Sequence, residues 1–212
     1  SLFTGQLSPS VSYFAGAGTL FRWPSLDDLY WTPGGDIELD PEYGWNTEAG
    51  LQWEARDLDF HKINISGTAF FRMHYDAIQW YPDGALWSVG NRGTLRTSGV
   101  ILQAEWKYRN RGWFTQARAN FQYVDSDRID NNDGIQEIYV PRFSGTFQAI
   151  AGKGKWALQS DQSFRSQRNY LNDENSVLPA VFLANLAISY EMDVVERSLQ
   201  IQLGCRNLAD TD

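Results

Sequence analysis

Cysteine is almost missing from this 212-residue chain: Cys205 stands alone, so no intrachain disulfide can form. Histidine is nearly as scarce, with only His61 and His74, far apart in sequence, and no Cys/His spacing that suggests zinc. Basic charge is outnumbered, 18 Lys and Arg against 26 Asp and Glu, a formal net charge of −8. No basic stripe is offered to phosphates, and nucleic acid is not an expected partner. Long apolar runs are also lacking. Nothing approaches the roughly 18–20 residues of a membrane-spanning helix, and mean hydropathy is −0.44. A helical membrane protein is therefore excluded, whereas a β-barrel is not, because alternating strands escape hydropathy scans. Ser1–Thr4 has neither the basic start nor the apolar stretch of a signal peptide.

What is abundant is aromatic, 15% of residues with nine Trp, and it is arranged with period two. In 113–124, Trp113, Thr115, Ala117, Ala119, Phe121 and Tyr123 share one face, and Gln116, Arg118, Asn120 and Gln122 the other. Segments 63–75, 100–109, 142–149 and 199–206 alternate as clearly, and 10–21, 48–56, 156–166 and 182–191 more weakly. The pattern predicts about nine strands and no helix. Many run ten residues or more, longer than the usual five or six of soluble sheets but suited to a tilted membrane strand of about 9–11. Connectors alternate in length. Asp57–His61, Asn110–Gly112, Gly152–Lys155 and Asp193–Arg197 are short, while Arg22–Gly44, Tyr81–Gly93, Asp125–Pro141 and Gln167–Pro179 are long and polar. Tight turns at one end and long loops at the other are the asymmetry of a transmembrane β-barrel.

The polar face carries Glu54, Arg72, Glu105, Lys107, Arg118, Asp161, Arg165, Glu191 and Arg206. So many charges suit a wet or plugged lumen better than a dry core. Rings near strand ends, among them Trp53, Tyr75, Trp106, Tyr108, Trp113, Tyr123, Trp156 and Tyr190, fit interfacial girdles. The rival reading is a soluble antiparallel sheet with one wet face. Nine strands leave an open edge, which lipid does not tolerate, so a further strand or a second chain is expected to complete the wall.

The run Phe21-Arg22-Trp23-Pro24-Ser25-Leu26-Asp27-Asp28-Leu29-Tyr30 resembles the F-R-A-P-S-L-x-x-L-Y signature of TonB-dependent outer-membrane receptors. Leu39-Asp40-Pro41-Glu42 is similar to that family's L-x-P-E, and Glu48-Ala49-Gly50 to its E-x-G at a strand start. Asn91-Arg92-Gly93 resembles N-x-G before a late strand, with Gly99 near the G-x-E glycine, and Asn207-Leu208-Ala209-Asp210 resembles N-L-F-D of the penultimate strand. Trp23, Ile101 and Ala209 depart from the pattern.

The resemblance implies an all-β, 22-stranded transmembrane barrel in a Gram-negative outer membrane. This chain would be its C-terminal part, with a plug domain upstream and a final strand downstream. The implied function is import of a scarce nutrient complex, such as a siderophore or cobalamin. The implied partners are outer-membrane lipid, the TonB energy-transducing complex reached through the plug, and a surface lipoprotein or other envelope proteins. No cofactor and no enzymatic activity are expected, and no nucleophile–base–orienter set or phosphate loop is present. The alternatives are a structural barrel subunit of a larger assembly or a passive porin-like channel.

Candidate ligand contacts at loop bases are Arg22, Tyr30, Trp31, Trp80, Tyr81 and Trp87. The acidic run Asp125, Asp127, Asp130 and Asp133 invites a calcium reading, yet it fails the EF-hand template, with Val140 where the twelfth-position Glu belongs. A solvated loop accounts for it. His74 reads as a solvated lumen histidine, and Cys205 as a small apolar side chain.

Overall fold

The computed structural model describes residues 1–55, 59–129, 136–171, 176–194 and 197–208. In chain order it contains β1 (Leu2–Ser8), β2 (Val11–Arg22), the short helix α1 (Leu26–Tyr30), β3 (Glu42–Ala55) and β4 (His61–Tyr75). A hairpin follows, β5 (Ile78–Asp83) and β6 (Leu86–Asn91), then β7 (Leu95–Asn110), β8 (Trp113–Arg128), β9 (Phe143–Lys153) and β10 (Trp156–Arg165). The chain continues through β11 (Arg168–Asn169), β12 (Val177–Leu178), β13 (Val181–Val194) and β14 (Arg197–Cys205). Ten strands form one antiparallel meander in the order β1-β2-β3-β4-β7-β8-β9-β10-β13-β14, while β5–β6 and β11–β12 are two-stranded ribbons.

The sheet has one strand more than the alternation predicted. In β1, Gly5 occupies the position where an apolar side chain would mark the face. A Cβ there would lie 2.6 Å from Tyr13 Oη, because the Tyr13 ring reaches across from β2 and fills that volume. β3 begins at Glu42, six residues before the expected start, and α1 is a helix where none was expected. Five residues are too few to show a helical period, but the capping box of Ser25 and Asp28 accounts for it.

Directly paired residues share a face, so the register sorts the side chains. One row runs Glu54, Asn64, Glu105, Arg118, Gln148, Asp161 and Asn185 across β3, β4, β7, β8, β9, β10 and β13. On this face Glu105 accepts from Arg118 Nε at 2.8 Å and from Gln116 at 3.1 Å, and pairs with Lys107 at 3.0 Å. The opposite face carries Leu102, Phe121, Phe147, Leu158, Ile188 and Leu203, all exposed. Buried apolar residues among those described are only Leu39, Ala77, Ile78, Val89 and Val124, and none of them covers that face. A soluble sheet would leave it wet, which the size of the patch argues against. Lipid satisfies it.

Rings border the apolar face at both ends. Tyr43–Tyr75, Trp45–Phe71 and Tyr123–Phe143 stack or tilt together on the loop side, and Trp156–Tyr190 and His61–Trp106 on the turn side. Tyr123 and Trp113 lie on one strand ten residues apart, roughly 33 Å along it. At a strand tilt of about 40° this is roughly 25 Å along the membrane normal, the height of an outer-membrane apolar band.

Local chemistry sets the turns. Arg111 and Gly112 both have positive φ, +48° and +79°, which closes the β7–β8 hairpin with the twist that two-residue turns need. Gly99 meets a different demand: a Cβ there would overlap the Tyr123 carbonyl oxygen and the Phe70 ring.

Candidate functional site

Pro24 cannot donate to a ladder, and β2 ends two residues before it, at Arg22. Ser25 then caps α1: its Oγ accepts from Asp28 N–H at 3.1 Å, and its own N–H donates to Asp28 Oδ2 at 2.9 Å. The second Asp28 oxygen, Oδ1, accepts from Trp80 Nε1–H on β5 at 2.9 Å, across 52 residues of sequence. Arg22 Nη1 lies 3.7 Å from the same carboxylate, its Nη2 lies 3.3 Å from Glu42 Oε2, and it donates to Ile78 O at 3.1 Å. Glu42 in turn accepts from Ile78 N–H at 3.1 Å and faces His74 Nδ1 at 3.4 Å. His74 is therefore half-buried and carboxylate-paired, where the sequence suggested a solvated residue. Burial raises the Asp28 pKa, but the Ser25 amide and hydroxyl, the Trp80 indole and the Arg22 charge more than offset it, and the net shift is downward.

Asn91 adds a second clasp. Its amide donates to Asp40 O and Asp76 O at 2.9 and 2.7 Å, and its Oδ1 accepts from Asp40 N–H at 2.9 Å. Under these clasps Leu39, Ile78 and Val89 form a small core, with Leu29 and Trp80 packed on it. Gly34 sits so close to the hairpin that a Cβ would overlap the Trp87 carbonyl, and its own C=O accepts from Val89 N–H at 3.0 Å. The signature segment is thus a lock that joins the first long loop to the β5–β6 hairpin.

The lock extends around the rim. Arg128 pairs with Glu137 through Nε at 3.1 Å and Nη2 at 3.2 Å, and also donates to Gln79 of the hairpin. The buried Gln136 side chain accepts from Ser126 N–H and donates to Val124 O, both at 3.2 Å. Asn169 accepts from Tyr139 N–H at 2.7 Å and so ties in the last loop. Between the hairpin and the third loop lies a cavity of about 530 Å³, lined by Trp80, Trp87, Ile138, Tyr139, Leu95 and Gln79 among others.

The six predicted contacts fall into two groups. Arg22 and Trp80 are built into the lock, and Tyr81 lies under the Arg92 guanidinium at 4.2 Å. Tyr30, Trp31 and Trp87 remain exposed, at 66%, 60% and 46%. Of the acidic run, Asp127 is held by Arg96 at 2.7 Å and Asp125 lies 3.5 Å from Arg142, while Asp130 and Asp133 lie outside the described residues. No group of three or more His, Cys, Asp or Glu that could hold a metal occurs among the described residues. Asp28, Glu42 and Asn91 stand inside the signature motifs but were not named from sequence as site residues, and neither were Arg128, Gln136 and Glu137. Their partners lie up to dozens of residues away, and only the motif resemblance marked the first three.

A meander of long strands with one lipid-facing side, ringed by aromatics and crowned by interlocked loops, defines the wall of a bacterial outer-membrane β-barrel. The chain belongs to the TonB dependent receptor-like, beta-barrel family, whose sequence profile matches residues 3–208. Its membrane is accordingly the Gram-negative outer membrane. It is 30% identical over 146 residues to the vitamin B12 transporter BtuB of Vibrio vulnificus, covering 58% of this chain and 23% of that protein. Among solved structures it resembles the copper transporter OprC (TM-score 0.73, 20% identity, all of this chain and 33% of that one). It also resembles the ferric enterobactin receptor PfeA of Pseudomonas aeruginosa (TM-score 0.71, 16% identity, 99% of this chain and 34% of that one). The chain therefore spans about a third of the solved receptors it matches and under a quarter of BtuB.

Proposed function

We propose that this chain is the C-terminal part of the barrel of an active importer. In this reading the loop end captures a scarce nutrient complex, a corrinoid or a ferric siderophore, and the TonB complex drives its passage by acting on an upstream plug. Outer-membrane lipid surrounds the wall, and a surface lipoprotein or other envelope protein is a further candidate partner. The observation that carries the reading is the rim lock centred on Asp28. It holds long loops in one arrangement, and pre-organised loops lose less entropy when they close on a ligand. A passive pore gains nothing from fixing them. Tyr30, Trp31 and Trp87 are the proposed direct contacts, with Arg22, Trp80 and Tyr81 holding them in place.

The test uses the full-length receptor in cells stripped of their own corrinoid and siderophore receptors. Uptake of labelled cyanocobalamin or of ferric siderophores is compared with and without functional TonB. Uptake that needs TonB, and is lost with Trp31→Ala plus Trp87→Ala, supports the reading. Uptake indifferent to TonB would replace it with the passive channel. No uptake, together with stable co-purification of envelope proteins, would replace it with the structural subunit.

A further inference from the structure

A second cavity, of about 550 Å³, lies between the third long loop and the last one. Its floor belongs to the lipid face. Phe143 is paired with Tyr123, and Phe164 with Gly145 and Phe182, on the side that carries Phe121 and Phe147. Ser166 continues that face past the strand end, where its N–H donates to Phe143 O at 2.8 Å. Phe143 is also part of the loop-side ring belt, its centroid 5.2 Å from Tyr123 and 6.2 Å from Phe121. Such rings sit at headgroup level, and the long loops of these barrels face outward. The cavity therefore stands where the outer leaflet passes from acyl chain to headgroup, on the far side of the wall from the lumen.

Its charge is opposite to that of the chain. Among the described residues that line it are two guanidiniums, Arg142 and Arg168, and no carboxylate, in a protein with 26 Asp and Glu. Arg142 donates from Nε to Gln136 at 3.2 Å, its Nη2 lies 3.5 Å from Asp125, and half of its side chain is exposed. Arg168 differs from the other rim arginines. Arg22, Arg96 and Arg128 each meet a carboxylate, whereas Arg168 meets none among the described residues. Its Nη1 is buried and has no hydrogen-bond partner. A buried charged donor is costly until an acceptor reaches it. Phosphate oxygens match the paired N–H groups of a guanidinium, and the second guanidinium on the same cavity doubles the match.

We infer that this cavity holds the phosphate of a phosphorylated lipid of the outer leaflet, with Arg168 and Arg142 as donors and an acyl chain laid over Phe143 and Phe164. Continuity with the lipid face selects a lipid over a soluble phosphate, because the exposed rings of the floor have no other cover among the described residues. The bound headgroup would also tie the two loops together. They already meet there, since Tyr139 N–H donates to Asn169 O at 2.7 Å and Asn169 Nδ2 to Gln136 O at 3.4 Å. The inference rests on the membrane placement alone, so its failure would leave the importer reading untouched.

The experiment measures lipid binding to the purified, delipidated full-length receptor by native mass spectrometry, with a chelator present. The probes are diphosphorylated lipid A, its fully dephosphorylated form and inorganic phosphate. Lipid A is expected to bind at least about tenfold more tightly than the dephosphorylated form, equivalent to roughly 1.4 kcal/mol. Arg168→Gln with Arg142→Gln should abolish that preference while the barrel keeps its heat-modifiable mobility. Phe143→Ala with Phe164→Ala should weaken both lipids alike. In hydrogen exchange on the unsubstituted receptor, lipid A should raise protection of the Tyr139 amide by about tenfold and leave the β7 and β8 ladders unchanged. Equal binding of the two lipids overturns the inference, and so does an undiminished preference in the folded double glutamine variant. Displacement of lipid A by millimolar inorganic phosphate would assign the cavity to a soluble anion instead. Binding that vanishes with the chelator would assign the phosphate to a bridging metal and remove the two arginines from the role.

Discussion

Asp28 is the point where the rim lock can be broken with one substitution. Its side chain is almost fully buried, and Asp28→Ala deletes the acceptor of the Ser25 N–H, the acceptor of the Trp80 indole N–H and the anion beside Arg22. An orphaned buried donor costs about 1–3 kcal/mol and half of a helix cap about 1 kcal/mol. A loss of about 3 kcal/mol in local loop stability is expected, because the groups share one carboxylate and their effects overlap. That is about a hundredfold in the opening equilibrium. The reporters are amides whose bonds exist only in the locked state: Asp36 N–H to Asp28 O, Val89 N–H to Gly34 O and Trp31 N–H to Asp27 O. In hydrogen exchange on the full-length receptor, their protection should fall about a hundredfold, while the β7 and β8 ladder amides stay unchanged. Trp80→Phe added to Asp28→Ala should cost far less than Trp80→Phe alone. Unchanged protection at Val89, or additive costs, would refute the idea that this carboxylate couples the two loops. Acid should act in the same direction. The Asp28 pKa is depressed in the folded protein below the ordinary aspartate range. Its contribution is thus fully present above the unfolded value and is lost as pH falls through the folded one, so the same amides should lose protection only below about pH 4.

Other expectations follow from the faces and the packing. Leu102→Arg places a charge near the middle of the lipid face and should cost about 2–4 kcal/mol in folding titrations into bilayers, whereas its neighbour Gln103→Arg, on the axial face, should cost under about 1 kcal/mol. Gly99→Val forces a side chain into the Tyr123 backbone and should lower the yield of folded barrel by a destabilisation of about 3 kcal/mol, read as lost heat-modifiable mobility on gels. Arg128→Ala leaves the buried Glu137 unpaired, at about 3–5 kcal/mol, and should release the third loop to limited proteolysis near Ile138 while α1 stays protected.

Strands were legible because lipid on one side and water on the other impose a strict two-residue period, as in 113–124 and 100–109. The exceptions have a common cause. At Gly5 and Gly44 the apolar or bulky position is vacated for a neighbour, the Tyr13 ring in one case and the Met73 backbone in the other, so the local pattern fades although the ladder continues. The helix was hidden because a single capped turn carries no period. The rim was legible only as a signature to be matched. Why that signature exists is visible in space alone, since Trp80 meets Asp28 and Asn91 meets Asp40 across about fifty residues. Exposed Tyr30 and Trp31 could be picked out as surface rings, but nothing local separates a ring that faces a ligand from Trp80, which holds a carboxylate.

The unbroken nearest-neighbour order of the ten-stranded sheet bears on how such a wall is made. Each long strand closes its ladder against the one translated just before it, so growth can proceed one hairpin at a time, with loop-closure entropy spent in small instalments. The two-residue Arg111–Gly112 turn then acts as a register gauge: it dictates that Asn110 faces Trp113, and every later rung inherits that choice. A slip of one residue there would turn Arg118 toward the hydrocarbon and Phe121 toward water, while Glu105 and Leu102 on the preceding strand kept their faces. Such a mistake would be rejected at the membrane surface before the next hairpin could be added, and fidelity of assembly would rest on one tight turn and on the alternation that follows it.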